Sequence, residues 1–513
     1  VRGGEYVAVP WHAGLAQLVP HAKPFVWAAE RMLLMPNRTE EARLARNLGI
    51  HVPAPILTRY DWSGTVPWDI QRSTAAVLTE SERCYVLSEL GTGKTRAVLY
   101  ALDYMLRHGI IKRALIVAPL STLTPVWERE IFQLMLKFAT VVLYGSRAKR
   151  LQLLAQGTPI CIINHHGLRV LGQHAIDAHF DAVVLDELAI YRTKNTDVWK
   201  AAEGVVKAPS TKYVWGLTGA PTPNAPTDAW AQVRLLTPAR TVRSFTAFRD
   251  LTMRRITSFK WLPRPEANTV VQAAMAPSVR YRRDDVMELP DCTTVERAVT
   301  LDDDAERCYK TLYAKARMQT LAGDVTAINQ AVLQNKLLQI SCGYLYTDDK
   351  RVYEMSSKGR LEALEEVLAE TDHKVLVLVP YLHALTGVTA HLRKSHHDVE
   401  MVHGGTGLTR RNKIFGEFQS GASPRIIAAH PQCLSHGLTL TEADTIVWYS
   451  PTTSYETYDQ ANHRINRPGQ IHKTMIVHMV GTPVERATYA RLRSKEKMQS
   501  CLLDLFHQQE KPF

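Results

Sequence analysis

Eight consecutive residues, Ser88-Glu89-Leu90-Gly91-Thr92-Gly93-Lys94-Thr95, have the chemistry to hold a triphosphate. They follow a short apolar run at 85–87 and lead into an apolar pattern of helical period at 95–106. Strand, glycine-containing loop and helix, in that order, turn backbone amides inward on phosphate oxygens, and the helix N-terminus adds partial positive charge. Gly91, Thr92 and Gly93 form the cradle, Lys94 reaches the β and γ phosphates, and the Thr95 hydroxyl holds Mg²⁺. The strict pattern has glycine where Ser88 stands. About ninety residues later, the apolar run Ala182-Val183-Val184-Leu185 ends in Asp186-Glu187. Carboxylates at the C-terminal end of a strand stand where open α/β sheets do their chemistry. Asp186 suits Mg²⁺, and Glu187 suits the orientation and deprotonation of an attacking water, since phosphoryl transfer is mostly positioning and charge neutralisation.

Such groups need a scaffold, and the apolar runs supply one. They recur at 85–87, 114–118, 160–163, 182–185 and 213–217, then at 375–379, 426–429, 445–448 and 475–480. Runs of this length without polar alternation predict parallel strands buried on both faces. Helix-like stretches at 95–106, 127–137 and 361–370 lie between them, the alternation of doubly wound α/β domains. The stretch 234–344 differs, with Pro238, Pro263, Pro265, Pro277 and Pro290 followed by a charged, helix-favouring run at 302–339. The expected organisation is an accessory region at 1–60, an ATP-binding lobe at 61–290 with a helical protrusion near 228–276, and a second lobe at 291–513 with a protrusion near 302–345.

Bulk properties narrow the class. A chain of 513 residues is too long for a single core. Lys and Arg outnumber Asp and Glu by 62 to 50, and the net charge of +12 favours a polyanionic partner or serves solubility alone. Seven cysteines without a Cys-x-x-Cys spacing suggest neither a zinc ribbon nor a disulfide framework, so an intracellular, cytoplasmic home is expected. No apolar run approaches the roughly 20 residues of a membrane helix, and residues 1–5 show no signal-peptide pattern. His165-His166 and His396-His397 lack spaced partners for a metal. Arg280-Tyr281-Arg282-Arg283 reads either as a phosphate contact or as solvated surface.

With these motifs in hand, Asp186-Glu187-Leu188-Ala189 resembles the Asp-Glu-x-x box of superfamily-two helicases, and Lys194-Asn195 resembles its Swi/Snf branch. Other segments follow the same order. Pro67-Trp68-Asp69-Ile70-Gln71-Arg72 is similar to the adenine-reading segment, with Gln71 as reader. Leu115-Ile116-Val117-Ala118-Pro119-Leu120-Ser121 and Trp127-Glu128-Arg129-Glu130 resemble a motif that contacts the DNA backbone, implying Pro119 and Ser121 as contacts. Ile163-Asn164-His165-His166-Gly167-Leu168 is similar to a further strand-contacting segment, implying Asn164 and His165. Leu217-Thr218-Gly219-Ala220-Pro221-Thr222-Pro223-Asn224 resembles the motif that couples hydrolysis to lobe movement. Arg282-Arg283-Asp284-Asp285-Val286 and Leu289-Pro290 resemble the segment leading to the second lobe.

In that lobe His403-Gly404-Gly405, Arg411 and Phe418 follow the family pattern, with Gly404 as a nucleic-acid contact. Gly437-Leu438-Thr439-Leu440 resembles Gly-Leu-Asn-Leu, with Gly437 by the nucleotide and Thr439, in place of Asn, by the DNA. Gln460-Ala461-x-x-Arg464-x-x-Arg467-x-Gly469-Gln470 is a near copy of the final motif, with Gln460 also by the nucleotide. Tyr449-Ser450-Pro451 and Tyr455-Glu456 are similar to viral and prophage members.

The resemblance implies two RecA-like P-loop lobes, parallel sheets flanked by helices, with helical insertions and ATP and Mg²⁺ as ligands. It implies an ATP-dependent translocase or helicase on DNA, chiefly duplex or branched, with forks, junctions or protein–DNA complexes as objects. RNA stays open as a track. Arg464 and Arg467 are three apart, so on a helix they share a face. Two guanidiniums so aligned suit a γ-phosphate gathering charge, an effect worth about 10³–10⁵ in rate elsewhere. With these arginines in one lobe and Lys94 in the other, the site is expected to complete on lobe closure. The alternatives are a strand-separating DNA or RNA helicase and a catalytically idle DNA-binding scaffold. Intact Lys94, Thr95, Asp186, Glu187, Arg464 and Arg467 argue against the scaffold.

Overall fold

Runs of Val, Ile, Leu and Ala without polar alternation are satisfied by sheets covered on both faces, and the chain builds two of them. The computed structural model describes residues 4–62, 66–257, 261–282, 290–321, 327–346, 351–434, 440–467 and 469–494. They gather into two compact units, the first within 1–254 and 262–286, the second within 255–261 and 287–500.

The first unit opens on a small antiparallel sheet of β1 (Tyr6–Pro10), β2 (Lys23–Trp27) and β3 (Glu30–Pro36), in the order β1-β3-β2. Val9, Leu33 and Met35 pack with Leu15, Ala42 and Ala45 on its helical side. An Arg46–Glu80 ion pair joins helix Thr39–Asn47 to helix Asp69–Glu80, which precedes the phosphate loop. The main sheet holds β4 (Arg83–Val86), β5 (Ala114–Ala118), β6 (Thr140–Val142), β7 (Ile160–Asn164), β8 (Ala182–Asp186), β9 (Tyr213–Leu217) and β10 (Ser278–Val279). Its order is β10-β4-β9-β8-β5-β7-β6, every pair parallel. Strands β5, β7 and β9 are buried at every residue. Because β4, β9 and β8 are neighbours, the loops at their C-terminal ends converge, and those loops carry the phosphate-binding segment, Thr218 and the carboxylate pair.

The second unit repeats the plan with β11 (Cys292–Ala298), β12 (Lys374–Leu378), β13 (Val399–Val402), β14 (Ile426–Ala429), β15 (Ala443–Trp448) and β16 (Thr474–Val480). They run parallel in the order β11-β16-β15-β12-β14-β13. Two helices, Asp303–Leu321 and Ala327–Ser341, lie between β11 and β12 in the chain. The α/β class with two parallel sheets flanked by helices is the expected one. Edge strands β6, β10, β11 and β13 are additions that the apolar runs did not mark.

A histidine inside this second core makes a pH prediction. His478 on β16 is fully buried, bonded through Nε2 to the Tyr458 hydroxyl at 2.9 Å and stacked on Tyr489 at 4.0 Å. Burial pushes its pKa down to about 3, against about 6.5 in the unfolded chain. Between those values the unfolded state carries one more proton than the folded state, so stability rises with pH. The contribution is complete above about pH 6.5 and falls by about 1.4 kcal/mol per unit as pH drops towards 3. Urea unfolding at stepped pH should show this slope, and His478→Phe should remove it.

Candidate nucleotide site

The phosphate loop begins where β4 ends. Gly91 and Gly93 adopt left-handed backbone (φ 86° and 73°), and Gly93 caps the fourteen-residue helix Lys94–Arg107. Ser88 is not among the described residues with positive φ, which is why glycine is dispensable there. Its buried hydroxyl instead accepts the backbone N–H of Tyr281 at 3.0 Å. Lys94 Nζ donates to the carbonyls of Ser88 (2.7 Å) and Glu89 (2.8 Å), positions it must leave to meet a phosphate. Burial pushes its pKa down to about 8, while Glu187 and Asp186 pull it upward. Thr95 lies in the first helical turn, its residue half-buried, and Thr92 donates its hydroxyl to Glu89 O at 2.8 Å.

Gln71 sits against this loop. Its Oε1 accepts the backbone N–H of Trp68 at 3.0 Å and its Nε2 donates to Gly93 O at 3.4 Å. A Cβ on Gly93 would lie 2.2 Å from Gln71 Nε2, in a backbone region that side chains rarely adopt. Gly93→Ala should therefore weaken ATP binding about tenfold or more, the strain being on the order of 1–2 kcal/mol. Calorimetric nucleotide titration, with circular dichroism as the check on folding, measures it.

Across the sheet, Asp186 ends β8 with Oδ2 accepting the Trp127 indole N–H at 2.9 Å and Oδ1 accepting its neighbour's N–H at 3.1 Å. Burial raises its pKa, and Trp127 and Lys94 oppose that rise. Glu187 follows in left-handed backbone, φ 56° and ψ 58°, a strained setting for a residue with a Cβ. The Thr218 hydroxyl at the end of β9 donates to Glu187 Oε1 at 3.4 Å. Asp186 and Thr95 offer hard oxygens, which suit Mg²⁺ completed by phosphate and water. No cluster of three or more His, Cys, Asp or Glu fit for a metal occurs among the described residues. When bound, Mg²⁺ would neutralise charge on the transferring phosphate, and the Thr218 hydroxyl restrains the Glu187 carboxylate beside Asp186.

Three residues of the expected polymer-contacting motifs are buried and bonded within the unit. Trp127 is fully buried as the partner of Asp186. Asn164 and His165 are buried as well; Asn164 Oδ1 accepts Arg150 Nη1 at 3.3 Å, and His165 Nδ1 lies 2.8 Å from the Tyr191 hydroxyl in a hydrogen bond. Their side chains bond to Arg150 and Tyr191 within the first unit. Pro119 is buried, Ser121 half-buried, and Gly404 stands exposed after β13. Arg280 is neither a solvated residue nor an open phosphate contact, since its side chain is 1% exposed. Gly437, Thr439 and the segment 283–289 lie outside the described residues.

In the second unit Gln460 is buried on helix Tyr455–Asn462. That helix ends before the arginines, so the expected helical face is not formed. His463 caps it, its Nδ1 lying 2.7 Å from Asp459 O in a hydrogen bond, and Arg464 and Arg467 occupy the turns beyond. The proline after Arg467 disfavours helical backbone at that residue. Gln470 staples the turn, donating to Ala443 O (2.9 Å) and Ile465 O (3.1 Å). Arg464 is buried, and burial lowers the pKa of half-buried Arg467.

Residues 60–351 match the SNF2-related domain, more than half of the chain, and residues 359–469 match the helicase conserved C-terminal domain. The chain belongs to the SNF2-related family. It is thus an SNF2-family ATP-dependent helicase in class. Among relatives, a putative protein of Acyrthosiphon pisum secondary endosymbiont phage 1 is 25% identical over 455 residues, covering 83% of this chain and 95% of the phage protein. An uncharacterised ATP-dependent helicase of Mycoplasma genitalium is 23% identical over 81% of this SNF2 chain, which spans 40% of the Mycoplasma protein. A solved Sulfolobus solfataricus SWI2/SNF2 ATPase core in complex with dsDNA is 19% identical, covering 86% of this chain and 94% of that one, with a TM-score of 0.40. No helix among the described residues is long and apolar enough to cross a membrane.

Proposed function

We propose that this SNF2-family enzyme hydrolyses ATP with Mg²⁺ to drive translocation on double-stranded or branched DNA, remodelling forks, junctions or protein–DNA complexes. The observation that carries the hydrolytic part is the convergence at neighbouring strand ends. There Thr218 holds Glu187 beside Asp186, and Lys94 feels both carboxylates. The net charge of +12 supports a polyanionic track. Lys94 binds phosphate, Gln71 reads the base, Thr95 and Asp186 hold Mg²⁺, and Glu187 activates water. Arg464 and Arg467 act on the γ-phosphate in this reading, and Arg467→Ala should lower turnover by about 10³–10⁵.

The test measures phosphate release without nucleic acid and with single-stranded, duplex, forked, four-way and RNA substrates, alongside displacement of a triplex-forming strand. Duplex or branched DNA should stimulate release most and the triplex should be displaced. Affinity for DNA should fall steeply with salt, because phosphate contacts release counterions. Unwinding of a fork without triplex displacement would favour the strand-separating helicase instead. A protein whose ATP hydrolysis ignores every nucleic acid is not a motor, and the proposal ends there.

A further inference from the structure

The phosphate loop of this chain is clasped from outside the loop. Strand β10 pairs with β4, and the pairing continues beyond the end of β4 into the loop itself. Leu87 N donates to Val279 O at 2.8 Å, and Glu89 N donates to Tyr281 O at 3.1 Å. Tyr281 N returns a bond to the Ser88 hydroxyl at 3.0 Å. Between these lies Arg280, whose Nη1 donates to Leu87 O at 3.2 Å and whose Nη2 meets Glu89 Oε1 at 2.9 Å. Its side chain is 1% exposed, and that of Glu89 32%.

The clasped residues are the ones that hold the lysine. Lys94 Nζ rests on the carbonyls of Ser88 and Glu89, and Glu89 O also accepts the hydroxyl and, at 3.4 Å, the backbone N–H of Thr92. One backbone carbonyl thus ties the lysine to the middle of the cradle, and the fork of Arg280 fixes the residue that bears it. A guanidinium suits this task because two parallel donors set orientation as well as distance.

We infer that Arg280 is a positioning residue for ATP: with Glu89 as its counter-ion, it sets the backbone of Ser88 and Glu89 from which Lys94 and the loop amides reach the phosphates. This rests on the reading of Lys94 as a phosphate ligand. Arg280 touches no phosphate itself. Its loss loosens the loop entrance, so the cost falls on nucleotide binding before it falls on the fold.

The experiment compares the full chain with Arg280→Met, Arg280→Lys, Glu89→Gln and the double variant Arg280→Met/Glu89→Gln. Each is assayed for KM and kcat of ATP hydrolysis at saturating duplex DNA, and for thermal midpoint. Arg280→Met should raise KM about tenfold, the scale of a lost charge-assisted bond, and Glu89→Gln should raise it in the same direction by less. Arg280→Lys, which keeps the charge but loses the fork, should recover part of the loss. The double variant should bind ATP no worse than Arg280→Met, because both changes remove one shared contact. KM within twofold of the parent for Arg280→Met overturns the proposal, as does a lowered thermal midpoint with KM unchanged. Should Arg280→Met not fold, Arg280→Lys and Glu89→Gln decide it, unchanged KM in both counting against. A parent chain that hydrolyses no ATP refutes the reading of Lys94 and not the clasp.

Discussion

Glu187→Gln should leave ATP bound and unhydrolysed, with DNA-stimulated phosphate release lowered by about 10²–10⁴-fold. The amide keeps the shape of the side chain and an oxygen for the Thr218 hydroxyl, so the rotamer survives. What it lacks is a base for the water proton. Lys94→Ala should fail one step earlier, since the cation that meets the β and γ phosphates is gone. Nucleotide titration and single-turnover hydrolysis on the same preparations separate the two. Full turnover in both variants would remove the site from consideration.

The second large effect concerns stability. Arg360 and Glu485 form an ion pair in the second unit, with side chains 2% and 0% exposed, Nη2 donating to Oε1 at 2.7 Å. Both carboxylate oxygens and both terminal guanidinium nitrogens are bonded, while the buried Arg360 Nε is not. Glu485 Oε2 accepts from the N–H groups of Gly481 (2.9 Å) and Thr482 (3.0 Å) and from the Thr482 hydroxyl (3.1 Å), while Arg360 Nη1 donates to Tyr449 O. Removing one partner strands the other charge in a low-dielectric interior, at a cost of about 3–5 kcal/mol. Arg360→Met should therefore lower the urea midpoint sharply. Arg360→Met with Glu485→Leu should restore much of it, because two charges then leave together. A single variant as stable as the parent would show that the carboxylate finds other relief.

Strand positions in both sheets were legible because burial on two faces forces unbroken apolar runs. β5, β9 and β14 begin and end at the expected residues. Edge strands lack that constraint: β11 is exposed along nearly its whole length and its sequence, Cys-Thr-Thr-Val-Glu-Arg-Ala, carries no core pattern. The small sheet at β1–β3 was hidden for the same reason, its apolar alternation being short and broken by prolines.

The chemical residues were legible where they are contiguous, as in the phosphate loop and the Asp186-Glu187 pair. Their partners were not, because Trp127, Thr218 and Arg280 come from 31 to 193 positions away. No local pattern marks such a contact. The shared helical face expected of Arg464 and Arg467 is absent because the helix ends at Asn462, before either of them. The burial of Asn164 and His165 was not legible, because a motif gives residue types and not the direction in which they point.

The backbone at Glu187 carries one further consequence. Left-handed geometry there is an arrangement glycine adopts at no steric cost. Glu187→Gly should therefore make the first unit harder to unfold by about 1 kcal/mol while extinguishing hydrolysis. At this position durability and turnover pull apart, and a library selected for thermal survival alone would drift towards an inert protein.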